Sequence, residues 1–284
     1  MLPVPAASDK KSAMTCRQVF AIAALIAALL AFTACTTAPV ISPAARADLA
    51  PTGVLRAGIN YGNGVLATRD AATGAPVGIA VNLATELGRR LDVPVELVMY
   101  EQAGNMVEGI KAGAWDVAFL AIDPLRANVI DFTAPYGEIE GAYLVPGGSR
   151  IRNIADVDRD GVRVAVVAKS NYDLFLTRNL RHAELVRIPT THGSADVFAA
   201  GKVDVLAGVR QRVDEASRNV PGSRLLEGRF MVIRQAIAAP KGHGAGLQYL
   251  REFVEDIKAS GLVAREFQKA GVLDAAVAPP ASVR

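Results

Sequence analysis

Cysteine is nearly absent. The 284 residues hold two, Cys16 and Cys35, both in or beside an N-terminal apolar segment. The body of the chain therefore has no disulfide framework and no cysteine metal site. The histidines His182, His192 and His243 share no metal-binding spacing. G-x-S-x-G, the P-loop and H-E-x-x-H are missing, which removes the enzyme classes that those motifs announce. An excess of one charge is missing too. Thirty-one basic residues face 28 acidic ones, for a net charge of +3. Taking away the residues before Cys35, with Lys10, Lys11, Arg17 and Asp9, leaves +1. Charges of both signs are scattered, which excludes the basic face of a nucleic-acid binder. No metal or cofactor is expected.

The N-terminus reads as a targeting segment. Lys10, Lys11 and Arg17 precede an apolar run from Val19 to Phe32, followed by small residues. The run is short of the roughly 20 residues a spanning helix needs. Met14 is an alternative start. Two cleavage readings stay open. Phe32-Thr33-Ala34-Cys35 resembles a lipobox, with Cys35 lipidated, although Phe32 is atypical there; Ala45-Arg46-Ala47 fits an ordinary A-x-A site. Residues 1–35 are read as signal and 36–50, rich in Ala, Pro and Thr, as a flexible tether.

The body alternates strands and helices. Residues 54–59, 95–99 and 115–122 read as strands, with helices over 78–91 and 106–111. Ile79, Leu83, Leu87 and Leu91 recur every fourth residue, which marks one helix face. The order implies a parallel sheet flanked by helices. It then restarts, with strands over 162–168, 184–188 and 203–209 and helices over 171–180 and 194–200. Helices over 247–260 and 263–270 follow, and 275–284 reads as a disordered tail. Lys111-Ala112-Gly113 with Asp116, and Ala200-Gly201-Lys202 with Asp204, precede apolar strands in corresponding places. Two α/β units imply two lobes with a small-molecule cleft between them. Arg126, just past the 115–122 strand, lies where open α/β sheets bind ligands and has the fork geometry for a carboxylate.

The fragments Gly53-Val54-Leu55-Arg56, 78–84 (GIAVNLA), Gly113-Ala114-Trp115-Asp116, Arg126, 131–136 (DFTAPY) and Ala239-Pro240-Lys241-Gly242 stand in an order that resembles the bacterial extracellular solute-binding proteins of family 3. The resemblance covers residues 53–271 and implies an α/β periplasmic clamshell (type II) with two crossover hinge strands. Lobe one would span about 51–142 and 237–274, and lobe two about 143–236. The crossovers would lie near Tyr143-Leu144-Val145 and Ile233-Arg234-Gln235. It further implies a monomeric, exported, non-enzymatic receptor. This receptor would pass a small carboxylate-bearing solute to an inner-membrane ABC permease, with a lipid anchor if Cys35 is modified.

By the same resemblance Arg126 pairs with the ligand carboxylate, helped by backbone near Ala121 and by Ser170 and Asn171 at a helix start. The chain departs from the pattern elsewhere. Val209, followed by Arg210, stands where amino acid binders hold the ligand's ammonium with an acid. Phe119 and Ala121 replace the usual hydroxyl residues, and Asp123 either meets a cation or caps a helix before Pro124. Lys169 replaces a usual glycine. Asn60 and Asn63 offer amides, and Tyr61 or Phe119 an aromatic face. With Arg126, Lys169 and Arg210, the cleft is expected to be rich in cations and its ligand to be a small anion. The alternative is a dehydratase of cyclohexadienyl acids such as arogenate on the same fold, with Glu138 or Glu140 as general acid.

Overall fold

The computed structural model describes residues 41–272 and 274–282. The signal segment and Cys35 lie outside the described residues. In chain order the first elements are α1 (Pro43–Leu49), β1 (Leu55–Asn60), β2 (Thr68–Arg69), β3 (Pro76–Val77), α2 (Ile79–Leu91), β4 (Val95–Tyr100) and α3 (Ala103–Gly109). Next come β5 (Val117–Ala121), α4 (Pro124–Ala127), β6 (Ile130–Phe132), β7 (Gly137–Pro146), β8 (Arg163–Val167), α5 (Asn171–Asn179), β9 (Glu184–Ile188) and α6 (Thr191–Ala199). The last are β10 (Val205–Val209), α7 (Arg210–Asn219), β11 (Ser223–Leu225), β12 (Met231–Pro240), α8 (Gly244–Ala259), α9 (Leu262–Lys269) and β13 (Ala276–Val277).

These elements form two α/β lobes. The sheet runs β4-β1-β5-β12-β7-β10-β8-β9. At each end lies a parallel set, β4-β1-β5 and β9-β8-β10. Between them β12 and β7 run antiparallel to each other and to their outer neighbours, so these long strands tie one lobe to the other. All five residues of β5 are buried, as expected of a strand covered on both faces.

The lobes share one fastening. In the first, Asp116 accepts the Arg56 backbone amide at 2.9 Å and two side-chain bonds from the same arginine, at 3.1 and 2.6 Å. In the second, Asp204 takes the same bonds from Arg163, at 2.9, 3.0 and 3.2 Å. Each aspartate sits just before one parallel strand and locks the start of its neighbour. The glycine three residues earlier is left-handed in both, with φ of 60° at Gly113 and 67° at Gly201, a conformation glycine adopts without strain. Trp115 packs in the first lobe and donates its indole N–H to the Met106 carbonyl at 2.8 Å.

Both expected loose ends are corrected. Of the expected tether, residues 43–49 are instead helix, with Ser42 as cap accepting the Ala45 amide at 3.1 Å; residues 36–40 lie outside the described residues. Ala45 and Leu49 lie one turn apart and bury against α8, and Asp48 accepts the Gly246 amide at 2.9 Å. An Ala-rich stretch after a Ser-Pro start is a good helix former, and composition alone hides that. The tail is likewise not disordered where described. Ala276 and Val277 pair with β7, and Ala278 is buried, its amide donating to the Tyr136 carbonyl at 3.2 Å. Helix α7 was not anticipated, since only Val213 and Ala216 of its ten residues are buried.

Candidate functional site

The carboxyl ends of β1, β4, β5, β8 and β10 converge on one cavity between the lobes, of about 60 Å³. Strand ends of a parallel sheet leave backbone groups and helix starts unpaired, which is why solutes bind there. Asn60, Asn63, Phe119, Ala121, Arg126, Ser170, Asn171 and Val209, all expected at the site, line it. Phe119 meets Tyr136 edge-on, with ring centroids 6.3 Å apart, and so contributes a fixed apolar wall.

Arg126 is held by a short helix whose cap is Asp123. The Asp123 carboxylate accepts the Leu125 amide at 2.9 Å, and Pro124 opens the turn. From there the guanidinium reaches inward and is 4% exposed. One Nη donates to the Ala121 carbonyl at 2.9 Å. The other crosses to the second lobe and donates to the Lys169 carbonyl at 3.1 Å. Among the described residues no carboxylate pairs with it directly. Burial pushes its pKa down to about 10, with Asp123 opposing, so it stays charged at neutral pH.

Other bonds also join the lobes. Asn171 donates its amide N–H to the Ile122 carbonyl at 3.0 Å, Thr191 its hydroxyl to Gly62 at 3.2 Å, and Gln102 its side chain to the Pro189 carbonyl. Asp123 pairs with Arg178 at 2.7 Å. The lobes are therefore closed on each other. Arg178→Ala removes the partner of a buried carboxylate. Because Arg178 is 36% exposed, about 1 kcal/mol is the loss we assign to closure. The ligand-free variant is expected to show a larger radius of gyration in small-angle scattering than the parent protein; an identical radius contradicts this.

Several expected site residues lie elsewhere. Lys169 points its ammonium at Glu108, and both side chains are exposed. Its backbone is what counts, because a left-handed φ of 60° presents the carbonyl to Arg126. That φ also accounts for a glycine being usual there. Arg210 pairs with Glu140 at 2.8 Å, and Tyr61 is stacked under the Arg69 guanidinium, 4.2 Å from the ring centroid. Asp123 does meet a cation, but it is Arg178 of this chain. None of these four lines the cavity. The expected cation-rich cleft is therefore corrected: long basic side chains near it are neutralised by nearby acids. Glu138 and Glu140 do not line the cavity either; they pair with Arg234 at 3.4 Å and with Arg210 and Arg229.

Gln235, Ile233, Gln102, Glu101 and Thr191 line the cavity without having been foreseen as ligand contacts. A signal for Gln235 existed. Ile233, Ile237 and Ala239 mark the buried face of β12 by alternation, and Gln235 breaks it with a polar group that is 1% exposed.

Residues 56–271 match the model of "Bacterial extracellular solute-binding proteins, family 3". A search of curated protein sequences gave no significant match. Among solved structures, a mutant of ArgBP from T. maritima superposes with a TM-score of 0.69 at 21% identity, covering 80% of this chain and 99% of that one. AbpA from Streptococcus pneumoniae, an amino acid ABC transporter substrate-binding protein bound to L-arginine, gives 0.68 at 19%, covering 78% and 96%. The ancestral amino acid-binding protein AncCDT-1, a precursor of cyclohexadienyl dehydratase, gives 0.68 at 19%, covering 79% and 97%.

Proposed function

Since the chain belongs to the bacterial extracellular solute-binding proteins, family 3, we propose that it is the substrate-binding component of an ABC importer. It captures a small carboxylate-bearing solute between its lobes and delivers it to an inner-membrane permease, as a monomer. The observation that carries this reading is Arg126, a buried and still charged cation facing the interlobe cavity with no carboxylate partner among the described residues. A solute carboxylate is the group that satisfies a guanidinium fork there. Closure follows because the solute touches both lobes only when they meet. We place lobe one at about 51–142 and 237–274, lobe two at about 143–236, and, for the anchored form, a lipid at Cys35.

The test is a thermal-shift and calorimetric panel of organic acids, amino acids and uncharged sugars. At hundredfold excess over Kd, a true ligand stabilises by about 2.7 kcal/mol, or about 5–10 °C for a body of this size. At least one small carboxylate is expected to do so. A panel in which sugars stabilise the protein and no carboxylate does so would overturn the reading.

A further inference from the structure

Three polar side-chain atoms around this cavity are buried with no hydrogen-bond partner among the described residues: Gln235 Nε2, Asn171 Oδ1 and Asn63 Oδ1. Gln235 and Asn171 are 1% and 7% exposed. The Asn171 amide is oriented by its own contact, since its N–H side donates to Ile122, so the oxygen must face elsewhere. An orphaned buried polar atom costs about 1–3 kcal/mol, and native proteins hold few of them. Of ten such side-chain atoms among the described residues, these three belong to residues that line one cavity together with Arg126, and together they describe the complement of something that fills it.

That complement has a definite chemistry. Arg126 takes a carboxylate. Gln235 donates to an acceptor, which a second carboxylate oxygen or a hydroxyl supplies. Asn171 Oδ1 and Asn63 Oδ1 each accept a hydrogen bond. These acceptors are neutral. Val209, which is 7% exposed, gives the wall an apolar side chain. Glu101 is the one acidic residue among the lining residues, and its side chain is 68% exposed and paired with Arg69 at 2.8 Å. A desolvated ammonium would meet only amide oxygens, a poor exchange for water. A hydroxyl gives up far less solvation and satisfies the same oxygens.

We propose, resting on the carboxylate reading above, that this cavity selects a short hydroxy acid over the amino acid of the same skeleton. Gln235 and Asn171 then read the uncharged part of the ligand. Gln235 lies on β12, a strand that ties the lobes together, so its bond to the solute also links occupancy to closure.

The experiment is calorimetry on the purified full chain with size-matched sets: lactate, alanine and propionate, then malate, aspartate and succinate. Within the set that fits, the hydroxy acid is expected to bind at least about tenfold tighter than the acid lacking the hydroxyl. The margin over the amino acid should be larger still. An amino acid that binds as well as its hydroxy counterpart, or a plain acid that matches it, overturns the proposal while leaving carboxylate capture standing. Binding by no acid in either set overturns it as well, and the wider panel above then decides whether carboxylate capture falls with it. The variant Gln235→Leu supplies a second readout. It is expected to lose about tenfold in affinity for the hydroxy acid and yet to melt no lower without ligand, because it removes an orphaned donor. Unchanged affinity would take Gln235 out of the site.

Discussion

Arg126→Ala is expected to weaken solute binding by about two orders of magnitude or more while the far-UV circular dichroism stays that of the parent. Truncating one member of a buried, hydrogen-bonded charge pair costs about 2–5 kcal/mol, about 30- to several-thousand-fold in affinity. Here the loss is compounded. The same guanidinium donates to Ala121 at the end of β5 and to Lys169 in the other lobe, so its removal leaves two carbonyls short as well as the solute. Arg126→Lys separates charge from shape. It keeps a cation but not a planar fork, and a loss of at least about tenfold is expected. With its pKa near 10, Arg126 predicts affinity that is flat from about pH 6 to about pH 9 and falls only as the guanidinium deprotonates above that. Calorimetry of Arg126→Ala giving a Kd within about threefold of the parent would remove this residue from the site.

Leu49→Ala is expected to lower stability by about 2–5 kcal/mol, the range for a buried leucine cut back to alanine. For a chain of this length that is a fall of about 5–15 °C in melting temperature. Leu49 is 0% exposed, on a segment whose composition suggested slack between anchor and body. The loss should appear in calorimetric melting with little change in solute affinity, because α1 packs on α8 and none of its residues lines the cavity. A melting temperature within about 2 °C of the parent would return residues 43–49 to the status of a tether.

Much of the fold was legible because its strands and helices carry strong periodicity. The fully buried β5 and the four-residue apolar spacing of α2 are cases in point. The position of Arg126 was legible as well, since a strand end followed by Asp-Pro specifies a capped turn. What stayed hidden depends on partners distant in sequence. Nothing near Lys169 indicates Glu108, and nothing near Arg210 indicates Glu140, yet those pairs keep both ammonium and guanidinium out of the cavity. Helix α7 was hidden for a different reason: only two of its residues are buried and apolar, too few to set a period. Gln235 was masked by its setting: it follows Arg234 in an otherwise apolar strand that also reads as a linker between lobes, so only the break in alternation marks it.

The pairing of β7 with β12 constrains how the lobes separate. Five residue pairs join them, from Met231 opposite Gly141 to Gln235 opposite Gly137. A slip of one residue along that ladder would turn Ile233 and Gln235 to the opposite face and strand them. The two strands can therefore bend together but not slide. They act as a leaf spring rather than a sliding joint, and the leaf allows one direction of travel. Gln235 sits on that leaf, so a solute gripping it would stiffen the spring itself.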